Sequence, residues 1–81
     1  MKVTVRLFAR ARDLVGADAV TVEVPMGSTV GDLRVRLAEV YPALKALLRH
    51  SALAVANEYA NDSLPLTANA EVALLPPVSG G

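Results

Sequence analysis

The sequence of 81 residues contains no cysteine, no tryptophan, no isoleucine and a single histidine. Without cysteine there are no disulfide staples, no thiolate metal ligands and no cysteine nucleophile, so any sulfur chemistry must use sulfur brought from elsewhere. The one histidine, His50, is read as a surface residue near a helix end, because metal sites recruit several ligands and no metal site is expected. Ser28, Ser51, Ser63 and Ser79 can share at most one incomplete catalytic triad with it. Gly16, Gly27 and Gly31 are scattered, and no glycine-rich run precedes a Lys and a Ser or Thr, which excludes a phosphate-cradling loop. Neither sign of charge dominates: eight basic residues balance eight acidic ones. Arg6, Arg10, Arg12, Arg34 and Arg36 are read as a solvated rim, with no stripe that would bind nucleic acid or an anionic membrane. No apolar run approaches the ~20 residues of a membrane span, and the opening Met1-Lys2-Val3-Thr4-Val5-Arg6 interrupts its apolar residues with charge, so no signal-peptide core is expected. The chain is placed in the cytoplasm on these grounds. Its length lies below the usual domain size of ~100–150 residues, so one domain with one small core is expected, with little room for a catalytic cleft of its own.

What is present is aliphatic: 14 Ala, 12 Val and 12 Leu, against three aromatic residues. Val3, Val5 and Leu7 alternate with Lys2, Thr4, Arg6 and Phe8, the period of a half-buried strand that leaves Phe8 on its wet face. A short turn over Ala11–Val15 ends at Gly16, and Val20, Val22 and Val24 form a returning strand stopped by Pro25 and Gly27. Thr29 followed three residues later by Asp32 is a capping box and opens an amphipathic helix. Val30, Leu33, Leu37, Val40 and Tyr41 supply its apolar side, until Pro42 ends it. Ala43 to Arg49 is read as a short second helix on which Leu44, Leu47 and Leu48 share a face. A strand follows with Leu53 and Val55; Asn57–Tyr59 continue it or pair locally, and Asn61-Asp62-Ser63 turn the chain. The last strand runs from Glu71 to Leu75 with Val72 and Leu74 toward the core. Taken together these elements predict an α+β domain over residues 1–75, a mixed four- to five-stranded sheet packed on one main helix: the β-grasp, or ubiquitin-like, architecture.

The most informative segment is the ending, Pro76-Pro77-Val78-Ser79-Gly80-Gly81. The two prolines offer no amide donor, so the sheet ladder stops and the chain leaves in an extended direction. Residues 76–81 are therefore read as an extended tail. Six residues reach at most ~20 Å, enough to enter a narrow channel in another protein, and two glycines let the channel walls close on the backbone. The carboxylate of Gly81 is then the reactive group, and Gly80, Ser79, Val78, Pro77 and Pro76 are the inserted segment. Phe8 and Leu75, if the first and last strands are neighbours, form an apolar patch at the root of the tail that a partner would cover.

These residues resemble a known family. Leu7-Phe8-Ala9-Arg10 with Arg12-Asp13-Leu14-Val15-Gly16, then Tyr41-Pro42-Ala43-Leu44, then Glu71 through Pro-Pro-Val-Ser-Gly-Gly are similar to the MoaD-type small subunit of molybdopterin synthase (molybdopterin converting factor small subunit), a ubiquitin-like sulfur carrier. The resemblance spans the chain, and the Pro-Pro-Val-Ser-Gly-Gly ending is its specific element. It implies a protein that is not catalytic alone and binds no cofactor itself. An E1-like adenylyltransferase would use ATP and Mg to adenylate Gly81, and a sulfur donor would convert it to a thiocarboxylate. The large subunit of molybdopterin synthase, assembled with the carrier as a heterotetramer, would then receive the tail and pass the sulfur to cyclic pyranopterin monophosphate in molybdenum cofactor biosynthesis. Alternatives are a sulfur carrier for thiamine or tRNA thiolation, a ubiquitin-like modifier conjugated through Gly81, and an interaction module with an inert tail. The sequence departs from the family at Ala68-Asn69-Ala70-Glu71, where Asp-Gly-Asp-Glu is usual, at Val55-Ala56-Asn57, where Val-Asn leads into the turn, and at Leu75, where many members carry an aromatic. Asn69 is expected to take the left-handed conformation that glycine would supply.

Overall fold

The computed structural model describes residues 1–76; the tail positions Pro77, Val78, Ser79, Gly80 and Gly81 lie outside the described residues. Strand β1 (Lys2–Leu7) shows the expected alternation, with Val3, Val5 and Leu7 buried and Lys2, Thr4 and Arg6 exposed. β2 (Ala19–Glu23) returns antiparallel to it and buries Val20 and Val22. Between them the chain forms a helix, α1 (Ala9–Val15), rather than the turn expected from the sequence. Seven residues are too few to sustain a helix in isolation. Here Ala11 is buried in the core, and Gly16, left-handed at φ 79°, closes the C-terminus by donating its N–H to the carbonyl of Arg12.

The main helix, α2 (Val30–Val40), starts at the capping box: the Asp32 amide donates to Thr29 Oγ1 at 3.2 Å, and the Thr29 amide donates to Asp32 Oδ2 at 2.9 Å. Val30, Leu33 and Leu37 are fully buried beneath the sheet. Val40 was expected to join them but is 42% exposed; Tyr41, one residue on, packs against the core in its place. The apolar stripe turns the corner there, through a 3-10 turn at Pro42–Leu44 and the short α3 (Lys45–Leu48), where Leu44 and Leu48 are buried and Leu47 half-buried.

β3 (Ala52–Val55) and β4 (Glu58–Ala60) form a tight hairpin through Ala56 and Asn57, both at positive φ, so Asn57–Tyr59 pair locally rather than extending β3. Positive φ at both central positions matches the twist of the flanking strands. The segment between β4 and β5 docks on the start of α2: Val30 and Gly31 donate their amides to the carbonyls of Leu64 and Asp62, both at 2.9 Å. A Cβ at Gly31 would lie 3.1 Å from both the Asp62 carbonyl oxygen and Cβ, which explains glycine in this helical turn. Arg34, which the sequence places in a solvated rim, is instead largely withdrawn from water. Its guanidinium donates to the carbonyls of Leu48 and Ser51 and to Asp62, tying α2 to the end of α3 and to the loop after β4. Asn69 lies at φ 65°, the left-handed turn expected before the last strand.

β5 (Glu71–Leu75) completes a five-stranded sheet of order β2-β1-β5-β3-β4. It runs parallel to β1 and antiparallel to β3, so the sheet is mixed and the first and last strands are neighbours. Helices cover one face of this sheet, and the ubiquitin-like β-grasp is the architecture expected. Among the described residues no helix is long and apolar enough to cross a membrane.

Candidate functional site

The strand that ends at the tail is the middle one of five. Hydrogen bonding on both sides holds β5 rigidly, and Pro76, exposed, follows Leu75 directly. Because side chains alternate along a strand, the residues that do not enter the core lie together on the other face of the sheet. The register places them in rows. Arg6, Ala73, Ala54 and Tyr59 lie across β1, β5, β3 and β4, since Arg6 pairs with Ala73, Ala73 with Ala54, and Ala54 with Tyr59. In the next row Leu75 pairs with Ala52, and Phe8 follows the last β1–β5 pair, Leu7 with Leu74, at the position corresponding to Leu75.

Phe8 and Leu75 are thereby brought to one sheet face, as the sequence suggested. Phe8 is 41% exposed, whereas Leu75 is only half-buried surface. Local geometry holds Phe8 there: its backbone is still extended (φ −134°, ψ 156°), and Ala9, left-handed at φ 50°, turns the chain into α1 immediately afterward. A residue with a Cβ adopts that conformation at a cost of about 1–2 kcal/mol, so the turn must be held by its surroundings. The Phe8 carbonyl accepts the amides of Ala11 at 3.1 Å and Arg12 at 3.5 Å.

Tyr59, 73% exposed, is the aromatic residue that the sequence left unassigned on this face. The signal was the Ala56-Asn57 turn: once it is read as a two-residue hairpin, Tyr59 falls opposite Ala54 and on its face. Between the larger side chains the floor is alanine. Ala54 and Ala73 line a shallow depression bounded by Phe8, Arg6 and Asn57. Of the other exposed large apolar residues, Met26, Val35 and Val40 belong to α2 and the loop before it, Leu14 to α1 and Leu64 to the loop after β4. Pro76 stands at the edge of the patch; Pro77, Val78, Ser79, Gly80 and Gly81 lie beyond the described residues. Among the described residues no group of three or more His, Cys, Asp or Glu could hold a metal ion, and His50 sits exposed just beyond α3.

A rigid central strand that ends beside an open apolar face is a device for presenting whatever follows it. Among known families, the model of the ThiS family matches residues 5–81. The chain belongs to the ThiS family. A molybdopterin synthase sulfur carrier subunit from Caenorhabditis briggsae is 41% identical to this ThiS-family chain over 83 residues, covering 100% of the chain and 99% of that protein. Among solved structures, the Haloferax volcanii small archaeal modifier protein 1 has a TM-score of 0.85 at 30% identity, covering 95% of this chain and 98% of that one. A protein–protein complex of subunits 1 and 2 of molybdopterin-converting factor from Helicobacter pylori contains a chain with a TM-score of 0.70 at 27% identity, with 100% of both chains covered. Within the ThiS-family domain described above, Phe8, Leu75 and Tyr59 therefore stand on the open face beside the last strand, in a chain similar throughout to named sulfur carriers.

Proposed function

We propose that this chain is the sulfur-carrier subunit of a molybdopterin synthase, with the Gly81 carboxylate as its reactive group. One observation carries the reading. A chain similar along its whole length to molybdopterin synthase sulfur carrier subunits delivers Pro76 from its central strand beside an open apolar face. A carboxylate is a poor electrophile and must be activated before sulfur can be attached. An E1-like adenylyltransferase supplies that activation with ATP and Mg: the Gly81 carboxylate attacks the α-phosphate, pyrophosphate leaves, and an acyl adenylate forms. A sulfur donor then displaces AMP and leaves a thiocarboxylate. The carrier binds no cofactor of its own in this scheme. It docks through Phe8, Leu75 and Tyr59 on the large synthase subunit, within a heterotetramer, and residues 76–81 enter that subunit's site. There the thiocarboxylate sulfur bonds to a carbon of cyclic pyranopterin monophosphate, and water cleaves the acyl–sulfur bond, so that the sulfur stays on the pterin and the Gly81 carboxylate is regenerated.

Similarity to a small archaeal modifier protein favours a second reading, in which the same activated Gly81 is joined to a lysine amine of a target protein. Intact mass separates the two. Incubation with ATP, Mg, a sulfide source and the activating enzyme is expected to replace one oxygen of the carrier by sulfur, and deletion of Gly81 is expected to abolish the gain while the folded domain persists. A mass corresponding to a lysine-linked conjugate would select the modifier instead. No change, with an activating enzyme proven on another carrier, would overturn the sulfur-carrier reading and leave the modifier or an inert tail.

A further inference from the structure

Among the described residues, the cation that lines the alanine-floored depression is Arg6; Lys2, on the same face of β1, stands two rows away. Arg6 lies on β1, one strand in from the sheet edge, with Ala19 of β2 on one side and Ala73 of β5 on the other. On its own strand the same-face neighbours are Thr4 and Phe8. All four flanking positions are uncharged, and among the described residues the ion pairs within 4.0 Å join Arg12 to Asp18, Arg34 to Asp62 and Arg36 to Glu39, leaving Arg6 without a carboxylate. Glu71 borders the same alanine-floored depression but pairs in register with Thr4, one row away, and does not reach Arg6 within that distance.

In the free carrier water solvates this guanidinium. In a complex it cannot, because a partner that covers Phe8 and fills the depression meets Arg6, which lines it beside Ala73. An arginine taken out of water without a counter-charge costs several kcal/mol, more than the apolar contacts around it return. We infer that the docking partner presents a carboxylate side chain to Arg6, next to an apolar side chain that fills the depression between Phe8, Ala54 and Ala73. Arg6 is then a specificity-determining residue of the interface, pairing with the acid through its planar guanidinium. A partner with the same apolar surface but no acid at that point is rejected, which lets a small, flat and otherwise featureless sheet face discriminate.

The inference rests on the proposed docking of this face to the large subunit, and the test separates the two. Affinity of the full-length carrier for the purified large subunit is measured by calorimetry for the wild type, Arg6→Met, Arg6→Glu, Glu71→Gln and, as a charge control on the helical side, Lys45→Glu. Arg6 is exposed, so its variants are expected to fold, which circular dichroism checks. Loss of one partner of a covered pair is expected to raise Kd about tenfold or more in Arg6→Met and about a hundredfold in Arg6→Glu, with Glu71→Gln and Lys45→Glu within about twofold of wild type. Equal or tighter binding by Arg6→Met would overturn the inference, since it would mean that Arg6 stays in water or is covered without an acid. A Glu71→Gln loss as large as that of Arg6→Met would overturn it as well, by making Glu71 the counter-charge. Wild-type carrier that fails to bind the large subunit at all would remove the docking reading, and the inference with it.

Discussion

The two faces of the sheet are built from the same strands and obey opposite rules. On the inner face Val3, Val5, Leu7, Val72 and Leu74 are almost completely buried against α2. On the outer face the alternating residues Arg6, Ala73 and Leu75, with Phe8 beyond the strand end, keep contact with water. The inner side chains pack the core, whereas among the outer ones only Ala54 is buried to a similar degree. A sulfur carrier can therefore vary the face it presents to a partner without losing the one that holds its core, because a period of two keeps their residues apart along the chain.

Leu37→Ala tests the inner side of this comparison most severely. The side chain is fully buried, and its truncation is expected to cost about 2–5 kcal/mol, read from urea unfolding, in a domain whose small size leaves little reserve. Phe8→Ala is the outer-face counterpart. It is expected to weaken binding to the large subunit roughly tenfold to a hundredfold, as loss of an aromatic anchor does, while the unfolding midpoint barely moves. A large fall in stability with unchanged binding would erase the proposed division of labour. Arg34→Ala sharpens it from the helical side: it leaves the carbonyls of Leu48 and Ser51 short of a donor and is expected to cost about 1–3 kcal/mol in unfolding experiments, with no effect on affinity. The smallest effect has the opposite sign. Ala56 sits at φ 51° in the hairpin turn, so Ala56→Gly relieves a strained Cβ and is expected to stabilise the domain by about 0.5–1 kcal/mol, seen as a raised Tm.

Most of the fold was legible because its signals are local. The valine alternations marked β1 and β2, Thr29 and Asp32 marked the start of α2, and Asn69 was recognisable as a left-handed turn residue. What escaped depended on neighbours distant in the chain. Helix α1 reads as a turn because seven residues carry too few intrahelical bonds, and the burial of Ala11 becomes visible only when the core is assembled. Arg34 looks like any charged residue on a helix, and its acceptors are supplied by Leu48, Ser51 and Asp62. Val40 and Tyr41 lie almost symmetrically about the apolar stripe, so the turn at Pro42 decides which one packs.

The candidate site divides in the same way. Phe8 and Leu75 follow from alternation once β1 and β5 are neighbours, but that adjacency is a long-range pairing across most of the chain. Tyr59 needed the hairpin, and Arg6 acquired meaning from the alanines opposite it. The sequence by itself determined which residues alternate, where α2 is capped and which chemical groups follow β5, because these depend on covalent order and on contacts within a few residues. Only the tertiary structure decided that β5 lies between β1 and β3 and that Arg6, Phe8, Tyr59 and Leu75 share one open face. Strand order and register are settled by competition among non-local pairings, whose closure entropy and buried area no local pattern encodes.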